Sequence, residues 1–121
     1  MTVSDEYKDY ILDLLAPIGP IASRRMFGGM GLFSDGRMFA LIANDVLFLK
    51  ADDVNRAAME SLGAIQFQPF ADKPTMMPYW EMDADIMEDP DRLCDLARGS
   101  VAAAARADVG KNSKTSRRKT R

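Results

Sequence analysis

Histidine is absent from all 121 residues, and that absence excludes more chemistry than any residue present suggests. Without imidazole there is no Ser-His-Asp or Cys-His nucleophile, no side chain that ordinarily titrates near neutrality, and no usual ligand set for zinc or haem. The single cysteine, Cys94, cannot close an internal disulfide, which agrees with a reducing compartment. No uncharged run approaches the ~20 residues of a membrane-spanning helix. The N-terminus carries Asp5, Glu6, Asp9 and Asp13 where a secretory signal would carry a basic and then an apolar block, so the expected location is the cytoplasm. An enzyme made from this chain would have to work with carboxylates, lysine and tyrosine.

What is present is ordinary for a soluble globular protein, 47% hydrophobic and 28% charged. A chain of this length forms one domain that hides roughly two thirds of its unfolded surface. The net charge of -2 conceals a division. Lys111, Lys114, Arg117, Arg118, Lys119 and Arg121 put six positive charges into the last dozen residues, leaving ten basic against eighteen acidic groups before them. From Gly110 onward there is no apolar residue to bury, so residues 1–109 read as the folded domain and 110–121 as a disordered basic tail.

Hydrophobic spacing supplies the elements. Val3, Tyr7, Tyr10, Ile11, Leu14 and Leu15 recur at intervals of three and four, predicting a helix over 3–15 that Pro17, Gly19 and Pro20 stop. Short apolar runs broken at Asp35-Gly36 and Asn44-Asp45 predict antiparallel strands near 25–33, 37–43 and 46–50. Asp52 or Asp53 can cap a helix whose stripe is Val54, Ala57, Ala58 and Leu62, with Gly63 as its left-handed exit. Strand character returns at "AIQFQPF", with Pro69 favouring an edge, and at "PYWEM". Asp89-Pro90 starts a last helix with a stripe of Leu93, Leu96, Ala97, Val101, Ala104 and Ala105. The fold class is α+β: a small antiparallel sheet of about five strands flanked by N-terminal, middle and C-terminal helices.

The stretch "RRMFGGMGLFSDGRMF" sets glycines beside arginines, as phosphate cradles do. Those cradles lead into a helix N-terminus, whereas here the glycines lead into Leu32, Phe33 and a hairpin turn. Phe27, Gly28, Gly29, Gly31, Asp35 and Gly36 therefore read as a structural signature, the glycines marking a bulge or the close approach of a backbone or ring, with Tyr79 or Trp80 as the expected ring. Arg24, Arg25, Lys73, Tyr79 and Trp80 are candidate protein contacts, each with an ordinary structural reading beside it: solvated charge for the cations, core anchor for the aromatics. The nine methionines either line an adaptable surface or fill core gaps. Asp83, Asp85, Glu88, Asp89 and Asp91 lack the calcium-loop pattern and read as a capped, solvated acidic run. Cys94, beside the main stripe of its helix and without a neighbouring base, reads as structural. The basic tail residues Lys111, Lys114, Arg117, Arg118, Lys119 and Arg121 are candidate nucleic-acid contacts of low sequence specificity.

"RRMFGGMGLFSDGRMFALIANDVLFLKADD", a short helix, then "FQPF", "PYWEM" and "DPDRL" together resemble the N-terminal domain of the TfoX/Sxy regulators of natural competence, over about residues 5–107. Met26-Phe27-Gly28-Gly29 and Leu49-Lys50 with Asp52 carry most of the resemblance. It implies a small α+β domain and a regulatory role, as coactivators acting with the cyclic-AMP receptor protein at competence promoters, and it implies no catalytic residues. Longer members carry a second, helical C-terminal domain where this chain has its basic segment.

The expectation is a cytoplasmic, non-enzymatic interaction module without metal or cofactor. Its partner would belong to the transcription machinery, with weak attraction of the tail to DNA, and it would be a monomer or homodimer. The alternative is a small-ligand-binding domain or enzyme with a pocket of methionine, Phe27 and Trp80.

Overall fold

The computed structural model describes residues 4–26, 29–66 and 78–119, with side chains described as far as residue 107. Helix α1 (Asp5–Leu14) begins at Ser4, whose Oγ accepts from the Tyr7 amide at 3.1 Å. The Ser4 amide donates to Asp45 Oδ1 at 3.0 Å, tying the start of the helix to a turn of the sheet. Ile11 and the following Leu15 are fully buried, while Tyr10 stays 46% exposed. A single 3-10 turn, Ala16–Ile18, and Gly19 end the helical stretch where the prolines predict.

Five antiparallel strands follow the chain across the sheet in the order β1 (Ala22–Met26), β2 (Gly29–Ser34), β3 (Arg37–Ala43), β4 (Val46–Lys50) and β5 (Tyr79–Glu81). Both expected turns are present: Asp35 and Gly36 have φ of 55° and 78°, and Asn44 and Asp45 have 53° and 54°, the left-handed pairs that a two-residue hairpin link requires. The first strand departs from expectation. Instead of one strand over 25–33 there are two, paired so that Met26 faces Gly29. The apolar count misplaces them because β1, Ala-Ser-Arg-Arg-Met, is an exposed outer strand and offers no buried face to the pattern. Phe27 and Gly28, the link, lie outside the described residues.

The glycines of β2 serve the sheet. A Cβ on Gly29 would stand 2.5 Å from the Ile42 carbonyl oxygen, an approach of backbone to backbone that no other residue permits. At Gly31 the neighbours are Met26, Met38 and Phe33 at 3.1–3.2 Å, so the ring against this glycine is Phe33, not Tyr79 or Trp80; Gly28 lies outside the described residues. Those two belong to β5, on the far side of the sheet. A register shift between Leu32 and Phe33 supplies the bulge.

One face of the sheet carries the main core. Met30, Leu32, Ile42, Leu47, Leu49 and Trp80 pack with Ile11 and Leu15, with Met59, and with Leu93 and Ala97 of the last helix. The opposite face holds a smaller cluster of Leu41, Ala43, Phe48 and Tyr79.

Helix α2 (Arg56–Ser61) uses a different stripe from the expected one: Met59 is fully buried and Leu62 packs on the core, while Val54 is 70% exposed. Alanines at 57 and 58 fit either face, so their spacing misleads. A short helix, α3 (Ala84–Met87), occupies the acidic run, with the Asp83 carboxylate accepting from the Ile86 amide at 3.1 Å.

Helix α4 (Pro90–Lys119) starts at Asp89-Pro90 as expected, the Asp89 carboxylate accepting from the Arg92 amide at 3.3 Å. Cys94 sits on its buried stripe, not beside it, and its thiol donates to the Leu14 carbonyl at 3.2 Å. Ser100, fully buried, donates to the Lys50 carbonyl at 2.8 Å. Helical backbone continues past Gly110 to Lys119, where disorder is the sequence expectation; lysine and arginine are good helix formers and no proline interrupts them.

Candidate functional site

The fold separates the residues that the sequence groups as protein contacts. Arg24 and Arg25 lie on β1, whereas Tyr79 and Trp80 lie on β5, four strand spacings or about 19 Å away. Tyr79 is 5% exposed and Trp80 9% exposed, which makes both core anchors in place of contact residues. Burial pushes the Tyr79 hydroxyl up to about 12, and the Lys50 ammonium stands 5.4 Å from its ring centroid. Lys73 lies outside the described residues.

What remains as an accessible contact surface is the outer side of β1. Ala22, Ser23, Arg24 and Arg25 are exposed, and among the described residues no strand pairs with this side. Alternation of the strand sends the two arginines to opposite faces. The Arg24 guanidinium stacks 5.0 Å from the Phe33 ring centroid. Arg25 holds Asp5 of α1 at 3.2 Å, with both side chains more than half exposed. The segment that leads into the strand lines, with α1, a surface groove of about 420 Å³ formed by Leu12, Ala16, Gly19, Pro20 and Ile21.

A second feature joins residues far apart in sequence. Between the end of β4, β5 and α4 lies a cleft of about 460 Å³ whose lining includes Lys50, Asp52, Arg56, Gln66, Trp80 and Arg106. Arg106 grips Asp52 side-on, Nε to Oδ2 at 2.7 Å and Nη2 to Oδ1 at 2.8 Å. The Arg106 hydrogen bonds, with amides of Val54 and Asn55, outweigh partial desolvation and lower the Asp52 carboxyl to about 2. Arg56 pairs with Asp53 at 3.0 Å. The neighbouring Asn55 accepts from the Asp52 amide at 2.7 Å and donates to the Lys50 carbonyl at 3.2 Å, so the corner is rigid.

The charged lining of the cleft is two ion pairs, Asp52 with Arg106 and Asp53 with Arg56, together with Lys50, whose ammonium lies over the Tyr79 ring. Asp52 is held ionised across the neutral range and cannot serve there as an acid or as a base of useful strength. Among the described residues this cleft is lined without methionine, and Met30, Met59 and Met82 belong to the core. Phe27, the other expected lining residue, lies outside the described residues. Among the described residues no three histidine, cysteine or carboxylate side chains are placed to share a metal ion. None of the described helices is long and apolar enough to cross a membrane.

Of the candidate nucleic-acid contacts, Lys111, Lys114, Arg117, Arg118 and Lys119 fall on the backbone of α4, and Arg121 lies outside the described residues. Arg106 and its pairing with Asp52 were not legible in advance. Asp52 stood out as a helix-cap candidate and within the family pattern, and nothing local in the sequence couples it to a residue 54 positions on.

Comparison with known families settles the grouping. The model of the TfoX N-terminal domain matches residues 13–104, from within α1 to within α4, and the chain belongs to that family. The match spans all five strands of the described sheet. No curated protein matches the chain.

Proposed function

We propose that this chain, from its membership of the TfoX N-terminal domain family, is a cytoplasmic, non-enzymatic regulatory module that acts by contact with a component of the transcription machinery. The observation that carries the reading is the accessible outer side of β1, where Arg24 and Arg25 stand exposed on a rigid sheet. Neutralised pairs in the cleft support the non-enzymatic part, because a catalytic acid or base needs a proton it can exchange near neutral pH. Cations beyond Gly110 add weak, sequence-independent attraction to DNA.

Affinity purification of the full chain and of an Arg24→Glu/Arg25→Glu variant tests the protein contact. A transcription component retained by the first and lost by the second is the expected result. Recovery of none, together with unchanged expression in a deletion strain, removes the reading. For the DNA part, deleting residues 110–121 should abolish salt-sensitive binding, and equal binding by the shortened chain refutes it.

The cleft favours a second reading, binding of a small ligand. A metabolite that raises the melting temperature of the full chain but not of Arg106→Ala would support it; flat curves across a broad library would dismiss it.

A further inference from the structure

The sheet has two outer sides, and among the described residues only one is closed. On the β5 side the Glu81 amide donates to the Ile65 carbonyl at 2.8 Å, and Gln66 forms a bridge with Trp80. On the β1 side no such pairing exists among the described residues, so a row of backbone donors and acceptors faces water. We propose that this side takes up an extended, acidic segment of a partner protein as a sixth strand. An apolar side chain of that segment seats in the groove of Leu12, Ala16, Pro20 and Ile21. The inference rests on the reading of the chain as a protein-contact module and specifies the chemistry of the partner.

Three observations converge on that occupant. The groove and the strand are continuous, since Ile21 lines the one and directly precedes the other, and Leu12 and Ile21 are held against the core. Arg24 and Arg25 place one cation on each face of β1, so neighbouring carboxylates on an added strand would each meet one. Arg25 already binds a carboxylate, that of Asp5, in an exposed pair which a competing acid can replace. A second copy of the chain is disfavoured by the same charges. In the fully overlapped antiparallel register, β1 against β1 sets Arg24 directly opposite Arg24.

A random peptide library panned on the immobilised full chain tests this, with enriched peptides measured by fluorescence anisotropy and mapped by amide shifts of the nitrogen-15-labelled protein. Acidic peptides carrying an apolar residue should be enriched, should shift the amides of Ala22–Met26 more than those of Tyr79–Glu81, and should weaken by roughly tenfold or more with Arg24→Glu/Arg25→Glu. An unchanged thermal melt of that variant separates lost contact from lost fold. Enrichment of no peptide family, of peptides without acidic bias, or of peptides whose shifts map elsewhere overturns the proposal. Peptides bound at β1 while purification recovers no transcription component would leave the site standing and remove the functional reading; the reverse result would remove the site alone.

Discussion

At one side of the sheet β1 carries Ser23, Arg24 and Arg25 into solvent, while at the other β5 buries Tyr79 and Trp80 beneath the bridge from Gln66. Both strands are short and both sit at the ends of the strand order. They differ in what lies outside them and in what they contribute to stability. The β5 side is part of the core, so changes there act on folding; the β1 side pairs with β2 and meets α1 through the exposed Arg25–Asp5 pair, so changes there act mainly on what the protein meets. Charge on an outer strand is a common guard against aggregation, and here the guard doubles as a selector of partner charge.

The largest effect should come from the buried side. Trp80→Ala empties the volume of a core ring and should lower unfolding free energy by about 3–5 kcal/mol, measured by denaturant unfolding. A loss below about 1 kcal/mol would break the contrast between the strands. The glycines of β2 grade it more finely. Gly29→Ala forces a Cβ onto the Ile42 carbonyl and should cost about 1–3 kcal/mol, whereas Gly31→Ala meets thioether ends and a ring edge that can yield, and should stay within about 1 kcal/mol.

Two groups near β5 respond to pH in opposite directions. Below pH ~10 tyrosine is protonated folded and unfolded. Between that point and about 12 the unfolded Tyr79 ionises while the native one keeps its proton, so stability should fall as pH rises through this window. Alkaline unfolding compared with Tyr79→Phe checks it. Asp52 behaves in the reverse sense: ionised in both states above pH ~4, it loses its contribution as pH falls toward about 2. Arg106→Ala should return the Asp52 carboxyl to the ordinary range in a carbon-13 titration and lower the melting temperature by only a few degrees, since the pair is partly exposed. The smallest effect belongs to Arg24→Glu/Arg25→Glu, expected to stay within about 0.5 kcal/mol by thermal melting while abolishing partner capture.

How much of this was legible depended on the range of the interactions. Asp35-Gly36, Asn44-Asp45 and Asp89-Pro90 are local: each residue's own backbone preference makes the turn or the helix start, and each was readable. The stripe Leu93, Ala97 and Ala104 was readable because one helix face meets one sheet. The split of β1 from β2 was not, because an exposed outer strand has no hydrophobic alternation to read. Alanines in α2 hid the buried Met59, since a small side chain satisfies either face. Of the proposed contact site, the two arginines were legible as candidates and their isolation from Tyr79 and Trp80 was not.

By itself the sequence determined the chemistry withheld from this protein, the class of its fold, its hairpin turns and its family, all matters of composition or of neighbours along the chain. The tertiary structure decided which aromatic residues are core, which side of the sheet stays open, and that Asp52 meets Arg106. Those outcomes depend on strand order and on contacts across 41 to 80 positions of sequence, as in Ser4 with Asp45 and Cys94 with Leu14. Only the packed chain, where burial and pairing are settled together, brings such residues within reach of one another.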